Sequence, residues 1–208
     1  MALTKVRTGG IAADAVDNTI LKLDDNYAFT GTISGAGGLI KLLSATISSA
    51  VSEYDISSTY INSTYDEYRL FFNFKPATNN TTLRMRVFVG GSVQTGNIYA
   101  YEGAGMNTSQ YVSSNAFDAI VTSVYGIGND TGESIQGEFN LQNINSTTFP
   151  FMMSGVSVAN NEHGNAEGSN IMGALIKANV GDVVNGIRFF MNSGNIASGT
   201  VKLYGIAK

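Results

Sequence analysis

The one histidine of the chain, His163, stands beside Glu162 and four residues before Glu167, inside the polar run 160–168. One imidazole with two carboxylates can hold a zinc ion, and an adjacent glutamate and histidine can share a proton. The spacing matches no metal-site motif, so a solvated loop histidine is the simpler reading. Glycoside hydrolysis needs two carboxylates facing each other about 5–9 Å apart. Glu133 and Glu138 cannot be set that way from spacing alone, and the adjacent Asp66 and Glu67 fall on opposite faces of a strand. Asp24-Asp25-Asn26 looks like the opening of a calcium loop but lacks the glycine and distal glutamate that complete one. Gly35, Gly37 and Gly38 precede no Lys-Ser/Thr pair, so they make a linker rather than a phosphate cradle. No catalytic, metal or cofactor site is expected.

Aromatic residues give two further candidates. Tyr99 and Tyr101 share one face of a strand, with Asn97 and Glu102 nearby. Two rings there could stack on a sugar while the polar groups hold its hydroxyls; a pair of core or interface tyrosines is the simpler alternative. Tyr60 and Tyr65 lie in the polar run 57–65, a loop or edge strand whose tyrosines suit a subunit contact. Arg84 and Arg86 alternate along a strand and read as a solvated face rather than a phosphate site.

Composition narrows the class. Charged residues make up 13% of the 208, about half the share of an ordinary soluble domain. Net charge is −4, and no Lys or Arg occurs between Val87 and Ile176. Nucleic-acid phosphates would find nothing there to bind. With no cysteine, disulfides and thiolate chemistry are excluded. No signal-peptide pattern opens the sequence, and no apolar stretch approaches the length of a membrane-spanning helix.

The elements that must position these residues are mostly strands. From residue 39 onward, apolar residues recur at every second position. Tyr68, Leu70, Phe72 and Phe74 form one row, Leu83, Met85, Val87 and Val89 another, and Ile135, Gly137, Phe139 and Leu141 a third. Lys75–Asn80 and Gly126–Asp130 have turn chemistry. The stretch 119–125 is ambiguous because its apolar residues are nearly continuous. Residues 186–191 and 199–206, joined by Asn192-Ser193-Gly194-Asn195, read as a strand pair closing the edge of the fold. Eight or nine antiparallel strands with one wet face predict an all-β fold: an antiparallel β-sandwich, jelly-roll-like. The first 38 residues differ. Glycines interrupt them, and Ile11, Ala15 and Asn18 at helical spacing predict two or three turns of helix, with 18–23 equally able to extend. The predicted division is an irregular, partly helical arm with a Gly-rich linker over 1–38 and a sandwich over 39–208.

Two stretches resemble virion proteins of tailed phages, especially T7-like phages of marine bacteria. One is Leu3-Thr4-Lys5-Val6 followed by Gly10-Ile11-Ala12-Ala13-Asp14-Ala15-Val16 and Leu21. The other combines Tyr65-Asp66-Glu67-Tyr68-Arg69-Leu70 with Gly199-Thr200-Val201-Lys202-Leu203-Tyr204-Gly205-Ile206. Tail-fibre and adaptor chains often begin like the first, and strands like the second recur in phage sandwich domains. The resemblance implies a non-enzymatic structural subunit docked by its N-terminal arm, often with threefold symmetry. Lack of a long repetitive shaft points to a short fibre, a connector or a capsid decoration protein. Expected partners are copies of itself, other virion proteins and, for a glycan-binding head, host surface polysaccharide, without nucleic acid or membrane insertion. The expected location is the virion, assembled in a host cytoplasm and released by lysis.

Overall fold

The computed structural model describes residues 38–106, 111–175 and 181–206, all within the compact unit that starts at Gly37. The expected helical arm and Asp24-Asp25-Asn26 lie outside these residues. The described residues form no helix and thirteen strands. In chain order these are β1 (Leu39–Ile47), β2 (Glu53–Ile56), β3 (Tyr68–Pro76), β4 (Leu83–Val89), β5 (Ser92–Val93), β6 (Tyr99–Gly105) and β7 (Tyr111–Phe117). They continue as β8 (Ile120–Val121), β9 (Ile135–Gln142), β10 (Met152–Asn160), β11 (Ala166–Leu175), β12 (Val184–Met191) and β13 (Ile196–Ile206).

All pairings are antiparallel, and the strands make two sheets. The wide sheet has eight strands in the order β1-β13-β3-β9-β10-β11-β6-β7; the narrow one has five, β2-β12-β4-β5 with β8 also on β4. The described residues are therefore all-β and sandwich-like, as the alternation from residue 39 onward predicts. The inward rows meet between the sheets. On the wide sheet, Phe72 stacks on Phe74 at 5.6 Å and on Phe139 at 5.0 Å; Phe189 of β12 reaches both Phe72 and Phe74, at 5.6 and 5.4 Å. Phe72 thus touches the other three rings, and aromatic pairs at these separations gain packing beyond the area they bury. Leu83, Met85 and Val87 of β4 are fully buried opposite them.

The final strands depart from expectation. β12 and β13 do not pair with each other: β12 lies between β2 and β4, and β13 between β1 and β3. Neither is an edge. The four-residue connection, with Gly194 at φ 72°, crosses from one sheet to the other. A short turn serves a hairpin and a sandwich corner equally well, so spacing alone could not separate them. The row on β12 is also buried almost throughout, as suits an interior strand. β1 runs from Leu39 to Ile47, and Val51 forms an isolated bridge to Ile196. The ambiguous stretch 119–125 contains only β8; beyond it, Thr122 Oγ1 donates to the Leu83 carbonyl and Ser157 Oγ to the Thr122 carbonyl. The Leu83 carbonyl thus accepts from both the N–H and the hydroxyl of Thr122, and these bonds tie the segment after β8 to β4 and β10.

Candidate functional site

Tyr99 and Tyr101 do share a face of β6, but it is the inner one. Tyr99 is fully buried. Its hydroxyl accepts from the Val87 N–H at 3.0 Å and donates to the Gln94 carbonyl at 2.9 Å, tying β6 of the wide sheet to β4 of the narrow one. Burial pushes its phenol up to about 12. Tyr101 is half-buried, edge-on to Phe117 at 5.8 Å. A stacked sugar has no access to the Tyr99 ring. Tyr60 and Tyr65 are half-buried and pack on the core. Tyr65 meets Tyr68 edge-to-face at 5.8 Å, and Asn145 Nδ2 donates to the carbonyls of Asn62 and Tyr65. The structure does not bring Tyr60 and Tyr65 together with Tyr99 and Tyr101 into one surface.

His163 sits in the β10–β11 turn. Asn161 Oδ1 accepts from the His163 and Asn165 N–H groups, a local hydrogen-bond pattern that fixes such turns. His163 Nε2 lies 3.7 Å from Glu162, while Glu167 accepts from Asn161 Nδ2. Among the described residues no three His, Cys, Asp or Glu side chains converge as metal ligands. Glu133 accepts from the Asp130 N–H at 2.6 Å and closes a turn, while Glu138 receives Arg69 Nη2 at 3.0 Å on each carboxylate oxygen. The two glutamates are thus committed to separate structural contacts. Arg84 and Arg86 are half-buried rather than solvated. Arg86 is ion-paired with Asp118 and lies over the Phe190 ring at 4.6 Å; Arg84 lies over Phe117 at 5.2 Å. Arg188, directly opposite Arg86, is held at both ends by Asp55 at 2.7 Å. Adjacent like charges are tolerated because each has its own carboxylate and aromatic face.

The outer face of the wide sheet carries exposed apolar side chains. Residues that alternate outward on β9, β10, β11 and β6 include Met152, Val156, Val158 and Met172, between 41% and 56% exposed. Two shallow hollows flank this row. One, about 370 Å³, lies around Phe71, Gln136, Val156 and Val158. The other, about 400 Å³, lies at the opposite end of β10, over Ala100, Ala174, Met152 and Met172 with Glu102, Asn115 and Gln142 at its margin. Alternation places Met152, Val156 and Val158 on one face of a strand but does not mark that face as outward. The four-strand register that gathers them has no sequence signal.

Comparison with protein-family models, with curated proteins and with solved structures finds no match.

Proposed function

We propose that this chain is a non-enzymatic structural subunit of a tailed-phage particle, a short fibre or connector attached through residues 1–38 and assembled as a homotrimer. The observation that carries the reading is the uncovered apolar row Val156 and Val158, beside the hollow next to Phe71. Apolar side chains gathered on a sheet face that no described residue covers favour a contact with another subunit. The strand order supports a jelly roll. Path β1-β13-β3-β9 opposite β2-β12-β4-β8 is two interleaved Greek keys, and hairpins β6–β7 and β10–β11 widen one sheet only. A rigid scaffold with one enlarged face suits a subunit whose work is geometric. The resemblance of the opening and closing segments to virion proteins supports the particle assignment.

The test is the mass of the full chain in solution, measured by light scattering, with Val158→Glu as the probe of the face. We expect a trimer for the native chain and a folded monomer for the variant. A native chain that stays monomeric at high concentration removes the oligomer from the reading. Attachment is checked separately, by scoring a chain lacking residues 1–38 for incorporation into particles. Incorporation at normal occupancy would defeat the anchoring role.

A further inference from the structure

The hollow at the Met152 end of β10 is built by register. Ala100 on β6 pairs with Ala174 on β11, Ala174 with Met152 on β10, and Met152 with Gln142 on β9. One row along, Ser113, Glu102, Met172 and Ser154 are neighbours in the same way. Two methyl side chains side by side leave a floor below the methionines that flank it. All of these residues come from the stretch between Val87 and Ile176 that contains no Lys or Arg. Among the described residues no cation pairs with Glu102, and its side chain is exposed at the margin.

These features select a ligand class. A carboxylate with no cation on the walls disfavours anionic ligands. A peptide strand would add at the outer edge of β7, to one side of the hollow, whereas the floor strands β11, β10 and β6 are paired on both sides. An amphipathic helix needs a long apolar stripe, whereas here the apolar floor of Ala100, Ala174, Met152 and Met172 is short and is bounded by Glu102, Asn115 and Gln142. The hollow instead offers one methyl-sized apolar seat ringed by neutral hydrogen-bonding groups and one acceptor. We propose that it binds a neutral saccharide through an N-acetyl group. The acetyl methyl rests on Ala100 and Ala174 between Met152 and Met172. The amide N–H donates to Glu102, and Asn115 and Gln142 exchange hydrogen bonds with ring hydroxyls. The site lies on the face of β6 opposite Tyr99 and does not depend on the particle assignment.

The test uses isotope-labelled full-length chain titrated with the disaccharide of N-acetylglucosamine, with cellobiose as the unacetylated control and digalacturonate as the anionic one. Amide shifts should map to 100–102, 113–115, 152–154 and 172–174 with the acetylated probe alone. Glu102→Gln should weaken binding about tenfold, the loss of one charge-assisted hydrogen bond. Ala100→Leu, an outward position, should abolish binding without lowering the melting temperature. Equal shifts with cellobiose or digalacturonate, or unchanged affinity in Ala100→Leu, would overturn the proposal. So would shifts at these amides that appear on raising protein concentration without sugar, which would give the face to a second copy of the chain. Loss of trimer with retained sugar binding would leave this site standing and remove only the assembly reading.

Discussion

Tyr99 joins the two sheets through a single oxygen. Its ring belongs to the inner face of β6, and its hydroxyl spans to the backbone of β4 and of the segment after β5. Removing that oxygen leaves a buried N–H and a carbonyl unpaired, so Tyr99→Phe should cost about 1–3 kcal/mol at neutral pH, read from urea unfolding. The same residue predicts an alkaline limit. Unfolded tyrosine ionises near 10, whereas burial holds the folded phenol to about 12. The unfolded state therefore releases its proton first. The stability from this group is complete below pH 10 and is lost as pH rises through about 12. Burial also raises Tyr68, Tyr54 and Tyr101, so Tyr99→Phe should flatten the alkaline slope without abolishing it. An unchanged slope would assign the titration to the other three.

Strand pairing carries a second rule, a glycine opposite a bulky residue. Gly137 stands opposite Phe72, Gly155 opposite Phe139, Gly103 opposite Ile171 and Gly199 opposite Phe74. In each pair the large side chain folds over its glycine, so that a Cβ at Gly137 would lie 2.8 Å from the Phe72 ring and one at Gly155 would overlap the Glu138 carbonyl and the Phe139 ring. The large side chains can lie across the neighbouring strand because these positions carry no Cβ. Gly155→Ala should therefore destabilise by about 1–3 kcal/mol, since backbone as well as side chain must shift. Gly96→Ala, whose nearest neighbour is an ordinary 3.7 Å from the added methyl, should stay close to native in the same melting experiment. Equal effects at the two sites would mean that the pairing is incidental. The rows at Ile135–Leu141 and Tyr68–Phe74 show in the sequence that Gly137 is inward. Nothing in the sequence pairs it with Phe72.

Across the whole molecule, the sheets differ in what they present. The narrow sheet covers its outer face with arginines on aromatic rings, Arg84 and Arg86 sharing Asp118 and Arg188 paired with Asp55. The wide sheet leaves apolar residues and two hollows outward. An assembly contact is thus expected on the wide sheet, and Arg188→Ala should lower stability without changing the oligomer. Light scattering alongside thermal melting checks both halves of that statement. A chain lacking residues 1–38 should melt cooperatively, because the Phe72, Phe74, Phe139 and Phe189 cluster is built wholly from later segments. A broad, non-cooperative transition would show that the sandwich needs residues 1–38.

The all-β class, the inward rows of β3, β4 and β9, and the turns at 75–80 and 126–130 follow from the sequence alone, because side chains on a strand alternate with a period of two. Absence of lysine and arginine over ninety residues likewise fixes the charge character of whatever they build. Tertiary structure alone decided that β12 and β13 part into different sheets, that β7 and β11 extend the wide sheet, and that Tyr99 faces inward while Ala100, Glu102 and Ala174 line a hollow. Periodicity tells which residues share a face, but not which face meets the core or which strands lie side by side. Those depend on contacts between segments far apart in the chain, and a local pattern carries no record of them.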